Sequence, residues 1–215
     1  MRAALSHTAS LASHNSIVDA AFKQAGIVRV QYYTDLISAA KALAFQPLPS
    51  GNRVAILAPS GAMGVIAADA CETSGLKVAN LSEQTLQHLQ SISPNWIKVG
   101  NPIDIWAAVQ IQGLEQGYRL GMEAALNDEN VDAVISILML TSEHASVNLE
   151  FIQELCEQHR NKPVLISITG DRELFDKAKI FLENRSIPVY LPVEDACRVL
   201  AIMYKCKQAM IRSQS

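Results

Sequence analysis

The segment Ser6-His7-Thr8-Ala9-Ser10 sets one imidazole among three hydroxyl side chains, just ahead of a helix-forming stretch. Neutral imidazole is a competent nucleophile toward a phosphoryl group, because its unperturbed pKa lies near neutral pH. The hydroxyls of Ser6 and Thr8, with nearby helix amides, can solvate the phosphate that results. The same residues also describe a surface histidine in a polar N-terminal segment. A second candidate is Pro59-Ser60-Gly61-Ala62-Met63-Gly64, which follows a strand-like run and opens a helix. Glycines let the backbone approach an anion, and a helix start presents unpaired N–H groups and a favourable dipole. Ser60, Gly61, Ala62 and Gly64 are therefore candidate phosphate contacts, although tight turns of this kind also arise for packing alone. The loop is neither a GxGxxG fingerprint nor a P-loop, since no Gly-Lys-Ser/Thr follows.

Asn101-Pro102-Ile103-Asp104 puts a carboxylate at a strand end. Asp104 there has two readings: it orients a histidine or binds a hydroxyl, or it caps the next helix. Glu143 and His144 follow the longest apolar run, and Asp171 and Arg172 follow another; both pairs read as polar loops. His14, His88 and His159 show no metal-ligand spacing. Cys71, Cys156, Cys197 and Cys206 are scattered singly, which reads as reduced, mostly buried thiols and gives no metal site.

Elements must bring these residues together. A helix is expected over 15–25, with Ser16 and Asp19 resembling a capping box and Gly26 at its C-cap, then a second helix over 34–44. Residues 46–52, Gln-Pro-Leu-Pro-Ser-Gly-Asn, cannot continue a helix and read as a linker. Downstream, strands are expected at 53–58, 76–80, 103–105, 131–140, 163–169 and 187–190. Between them come helices at 62–74, 82–89, 112–126, up to 160, 172–183 and 193–207. Regular alternation of this kind implies a parallel sheet covered on both faces. The run from Val131 to Leu140 has the continuous apolar character of a central strand. In a doubly wound sheet, ligands bind outside the carboxyl ends of the strands, which singles out the loops at 59–64, 104–107, 141–145 and 170–172.

Composition narrows the classes of function. The chain has 215 residues, 49% hydrophobic and 18% charged, with a net charge of −3. No basic field exists to attract nucleic acid or an anionic membrane. No apolar run is long enough to span a bilayer, and the N-terminus has no signal-peptide core, so a cytoplasmic protein is expected.

Read in order, these segments resemble the acyl-CoA synthetase (NDP-forming) family, which includes ADP-forming acetyl-CoA synthetase and is related to succinyl-CoA synthetase. The resemblance rests on Leu5-Ser-His-Thr-Ala-Ser-Leu-Ala12, Asp19-Ala-Ala-Phe-Lys-Gln-Ala-Gly-Ile-Val-Arg29, Pro49-Ser-Gly-Asn-Arg-Val-Ala-Ile-Leu57, Ser60-Gly-Ala-Met-Gly-Val65, Ala67-Ala-Asp-Ala70 and Asn101-Pro-Ile-Asp104. It implies that His7 takes phosphate from an acyl phosphate and carries it to ADP on an ATP-grasp module. It implies also that the helix opening at Ser60–Gly64 is one of two whose N-termini shelter the phosphohistidine; from their loop positions, Asp104 and Glu143 are candidate supporting residues. Two departures stand out: Ala9 stands where the family usually has Gly and Ser13 where it often has Gly, and Gly61-Ala62-Met63-Gly64 replaces Gly-Gly-Pro-Gly. If Ala9 occupies a position of positive φ, the phosphorylated loop is strained.

The implied fold is an α/β, flavodoxin-like doubly wound parallel sheet of the succinyl-CoA synthetase type, preceded by the helical tail of a second such domain. Residues 1–45 are expected to be the C-terminal part of the phosphohistidine (CoA-ligase) domain, 46–52 a linker and 53–210 the flavodoxin-like domain. The family's CoA-binding domain and ATP-grasp module are not recognisable in these residues. The chain is thus expected to act as part of a larger, oligomeric enzyme using CoA and ATP or ADP with Mg²⁺, none of them bound by this portion alone. The CoA-binding domain and ATP-grasp module are its expected partners, in the same chain or on a partner subunit. Two other readings stay open: an acyl-CoA-sensing region of a protein lysine acetyltransferase, and an interaction module without chemistry.

Overall fold

A computed structural model describes residues 15–144 and 146–214. Its centre is strand β1, Arg53–Ala58, where Val54, Ile56 and Ala58 turn to one face and Ala55 and Leu57 to the other, all without solvent exposure. β2 (Lys77–Val78), β3 (Ile103–Asp104), β4 (Ala133–Leu140), β5 (Val164–Gly170) and β6 (Val189–Tyr190) complete a parallel sheet in the order β2-β1-β4-β5-β6. Leu57 pairs with Ser136 of β4 and with Ile103 of β3, so β3 lies on the edge of β1 away from β4, in line with β2. The chain thus builds outward in one direction from β1 and then reverses to β4, the flavodoxin-like doubly wound arrangement.

Nine helices are described: α1 (Asn15–Gln24), α2 (Tyr33–Phe45), α3 (Gly61–Thr73), α4 (Glu83–Ser91), α5 (Trp106–Gln112), α6 (Leu114–Asn127), α7 (Glu150–Gln158), α8 (Arg172–Glu183) and α9 (Val193–Gln214). The sheet separates two apolar cores. One joins Ala42 of α2, Ala67 and Cys71 of α3 and the buried face of α9 to Val54, Ile56, Ile135 and Ile137. The other sets α4 to α8 against Leu57, Leu138 and Ile166. Both sides of β4 are covered, which is why its sequence does not alternate.

Several boundaries differ from the sequence expectation. The helix expected over 112–126 runs from Leu114 to Asn127, and a further helix not expected from the sequence, Trp106–Gln112, precedes it, the chain turning between them at Gly113 with φ of 83°. Strands β2, β3 and β6 are each two residues long, shorter than the apolar runs that suggested them. Helix α9 continues past Lys207, since nothing in Gln-Ala-Met-Ile-Arg-Ser-Gln breaks it. At the end of α1, Gly26 takes φ of 69° and Ile27 N–H donates to Phe22 at 2.8 Å, closing the helix as expected.

The stretch 46–52 is held on both sides. Gln46 accepts from the Val164 amide at 2.9 Å and donates to the Ser186 carbonyl at 2.7 Å, and Pro49 is buried. Helix α2 is tied down as well: Lys41 Nζ reaches Glu183 at 2.6 Å and the Val189 carbonyl at 2.7 Å, and Tyr190 Oη donates to the Ser38 carbonyl at 2.9 Å. The four cysteines are free; Cys71 and Cys197 are buried with their sulfurs 3.6 Å apart.

At the N-terminal edge of the sheet, the Asp132 carboxylate accepts from Ser50 Oγ, the Arg53 amide and Arg53 Nε, each at 2.9 Å. Burial pushes this carboxyl's pKa up. The hydrogen bonds from Arg53 and Ser50 and the guanidinium charge outweigh that and hold it below the ordinary range. A carboxyl depressed by folding stabilises the fold above its unfolded pKa, near 4, and that contribution is lost as pH falls through the folded value. Asp132→Asn is therefore expected to lower stability by about 2 kcal/mol at pH 7 and to flatten the decline below about pH 4. Urea unfolding at pH 7 and pH 3 checks it; an unchanged difference between the two assigns the acid sensitivity elsewhere.

Candidate functional site

The carboxyl ends of β1, β3 and β4 meet at the reversal of strand order. After β1, Ser60 is extended and caps α3: its Oγ accepts from the Met63 amide at 3.4 Å and its carbonyl from the Gly64 amide at 3.1 Å. Gly61 and Ala62 are exposed, and among the described residues their amides have no hydrogen-bond partner. These two N–H groups are the ones an anion at this helix start can reach. Gly64 plays a different part. It is buried, its amide is used within the helix, and an added Cβ would lie 2.9 Å from Pro102 Cβ, so here glycine serves the packing of α3 on the 101–104 turn.

Asn101 anchors that turn. Its side chain accepts from the Ile56 amide at 2.9 Å and donates to the Val54 and Ala79 carbonyls at 2.8 and 2.9 Å, bridging the place where β2 stops and β3 has not begun. Asp104 then emerges exposed beside the start of α3. Its Oδ1 accepts from the Trp106 amide at 3.1 Å, satisfying the first amide of the next helix, although the N-cap position itself is Ile105. Its Oδ2 lies 3.7 Å from where a Cβ on Gly61 would stand, and so faces the opening of α3 as well.

From β4, the chain enters a short 3₁₀ turn, Ser142–His144. The Thr141 amide donates to His144 Nδ1 at 3.2 Å, and Thr141 Oγ1 lies 3.0 Å from the same nitrogen. An Nδ1 that accepts from an amide places the proton of the neutral ring on Nε2. Glu143 is exposed at the tip of this turn and lines a pocket of about 280 Å³. Pro59, Trp106, Val109, Leu114, Tyr118 and Met139 form most of the apolar lining. Tyr118 is buried, and its hydroxyl donates to the Ile137 carbonyl at 2.6 Å. Burial drives its pKa well above the ordinary tyrosine value, so the ring is a neutral surface at any working pH.

Ser60, Gly61, Ala62 and Asp104 are thus brought together, and Glu143 lines the pocket that begins at Pro59. Ser6, His7 and Thr8 lie outside the described residues, as do Ala9 and Ala145. The turn at 170–172 takes no part: Asp171 caps α8, accepting from the Glu173 and Leu174 amides at 2.8 and 3.2 Å. Reading the sequence missed Trp106, Tyr118 and Met139. The four-residue spacing of Leu114 and Tyr118 was a usable sign of one helix face, but Gly113 interrupts the pattern linking it to Trp106. Among the described residues, no group of three or more His, Cys, Asp or Glu side chains could hold a metal ion, and no helix is long and apolar enough to cross a membrane.

Two family models match the chain. The Ligase-CoA domain matches residues 54–213, and the succinyl-CoA ligase like flavodoxin domain matches residues 1–43. The chain belongs to the NDP-forming acyl-CoA synthetase family. This family member is 36% identical over 213 residues to acetate–CoA ligase [ADP-forming] II of Archaeoglobus fulgidus, an alignment covering 99% of this chain and 31% of the relative. It is 37% identical over 214 residues to the alpha subunit of acetate–CoA ligase [ADP-forming] II of Pyrococcus furiosus, covering 96% of this chain and 45% of that subunit. The structure of acetyl-coenzyme A synthetase 1 of Candidatus Korarchaeum cryptofilum, in complex with phosphate and ADP, superposes with a TM-score of 0.82. Identity there is 29%, over 100% of this chain and 46% of that one. The chain spans between about a third and a half of these relatives' length.

Proposed function

We propose that this chain supplies the phosphohistidine segment and one sheltering helix terminus to an ADP-forming acyl-CoA ligase. The reaction is the interconversion of acyl-CoA, ADP and phosphate with acid, CoA and ATP. In the phosphoryl steps, a His7 ring nitrogen attacks the phosphorus of an acyl phosphate. An N–P bond forms, the P–O bond to the acyl group breaks, and the acid leaves as carboxylate. A terminal oxygen of ADP then attacks the same phosphorus, the N–P bond breaks, and ATP departs. The single observation that carries the reading is the opening of α3. Gly61 and Ala62 offer two unused amides at the crevice, in a chain whose relatives are named ADP-forming ligases. Those amides and the helix dipole favour a phosphate by about 0.3–1 kcal/mol in exposed settings.

Asp104 bears on this directly. A second anion beside that terminus repels a phosphate dianion, so its role is to accept a hydrogen bond from the imidazole N–H that does not carry phosphate. CoA, and ATP or ADP with Mg²⁺, are taken up by a CoA-binding domain and an ATP-grasp module, in the same chain or on a partner subunit. The outer face of α2, with Tyr33, Leu36, Ile37 and Leu43 exposed, supports a partner docked there. Phosphoryl labelling tests the reading: the complete enzyme given ATP with Mg²⁺ should acquire acid-labile, base-stable phosphate. Equal label in His7→Asn sinks the assignment.

A further inference from the structure

Two nucleophilic side chains take no part in the chemistry above and stand against each other in the core. Cys71 lies in the last turn of α3 and Cys197 in the second turn of α9, on helices that cover the same face of the sheet. Both are without solvent exposure, and their sulfurs are 3.6 Å apart. The Cys71 thiol donates to Cys197, whose own thiol reaches the Ala67 carbonyl at 3.7 Å, one turn back along α3. The bond from Cys71 and burial push the Cys197 thiol well above its ordinary pKa, so it rests protonated. Small neighbours allow the close approach: Ala67 and Ala196 are fully buried beside the two cysteines. A disulfide needs its sulfurs about 2.05 Å apart, so each has to move by less than about 1 Å, within reach of small χ1 turns. The other two cysteines are placed differently. Cys206 lies further along α9, about 13 Å from Cys197 by helix rise, and Cys156 sits in α7 against the other core.

We propose that Cys71 and Cys197 are a dithiol pair that hydrogen peroxide converts to a disulfide, a reversible covalent clasp between α3 and α9. Local opening of α9 from α3 admits the peroxide. One sulfur, as thiolate, attacks a peroxide oxygen; the O–O bond breaks, and the departing hydroxide takes up the thiol proton as water. The other sulfur, deprotonated in turn, attacks the sulfenic sulfur. The S–S bond forms, the S–O bond breaks, and a second water leaves. Two thiols thus lose two electrons, and one peroxide is reduced to two waters. A partner thiol already in contact captures the sulfenic acid before a second peroxide carries it to sulfinic acid. The clasp lies in the last turn of the helix whose first turn presents Gly61 and Ala62, and it forms whether or not His7 carries phosphate.

The test treats the full chain with hydrogen peroxide at room temperature, then blocks the remaining thiols and digests the protein with trypsin. Peptides 54–77 and 186–198 are expected joined, lighter than their sum by two hydrogens. Thiols titrated in guanidinium should fall from four to two and return to four with dithiothreitol. Because the bond joins positions 126 residues apart, the oxidised form should melt about 5 °C or more above the reduced form. Cys71→Ala and Cys197→Ala should each keep their three thiols under the same treatment. Four thiols after peroxide, sulfinic acid at either position without the link, or a link through Cys156 or Cys206 each overturn the proposal. So does an oxidised form that melts below the reduced one. The peptide map is made on the unaltered chain, so it decides the matter even where an alanine variant fails to fold.

Discussion

Replacing His7 by Asn in the complete enzyme is expected to remove acid-labile phosphate altogether and to lower acyl-CoA synthesis by at least about 10³-fold. Asparagine matches the imidazole's bulk near the backbone and keeps a polar head, but its amide nitrogen has no basic lone pair to offer phosphorus. An enzyme that proceeds through a covalent intermediate loses both half-reactions with its nucleophile. Single-turnover labelling from the nucleotide side and from the acyl phosphate side should fail together. A variant retaining either half-reaction places the phosphate elsewhere. Ala9→Gly offers the opposite sign. If the loop needs positive φ at that position, glycine there should raise the labelling rate without changing the site of label.

Gly170→Ala carries the largest expected effect on stability. Gly170 sits at φ of 115°, and an added Cβ would lie 2.0 Å from the Leu140 carbonyl oxygen, a backbone atom with no flexible end to move aside. That oxygen also accepts from the Asp171 amide at 2.8 Å, so it is fixed from both sides. Strain of the backbone and the clash together should cost about 4 kcal/mol or more, a large share of the roughly 5–15 kcal/mol that holds a domain together. Urea unfolding measures it against Gly100→Ala, where an added Cβ meets nothing within 4 Å and the expected change is within about 0.5 kcal/mol. Where the variant stays folded at low temperature, the ends of β4 and β5 must part. The Thr141–His144 turn should move with them.

The two effects act on different links of one chain of causes. In the proposed relay His7 would supply the reactive atom, whereas Gly170 supplies no atom to that chemistry yet fixes where β4 releases the loop that carries Glu143 and His144. Asp104 stands between them, accepting from the first amide of α5 through one oxygen and facing α3 with the other. Sequence alone offered these as alternative roles, and a carboxylate with two oxygens fills the first while leaving the second free.

By itself the sequence determined most of the strand and helix segments, though not α5, where several helices start, and to which family the chain belongs. Those properties are local. The apolar run in β1 needs only its own pleat and two covered faces, and Ser60, Ser82 and Asp171 cap helices through amides no more than three residues away. Tertiary structure alone decided that β1 lies between β4 and the paired ends of β2 and β3, and so which loops share a crevice. Pro59, Trp106, Tyr118, Met139 and Glu143 are neighbours only because of that order. It is set by the simultaneous burial of both sheet faces, a sum over contacts distant along the chain that no window of residues contains.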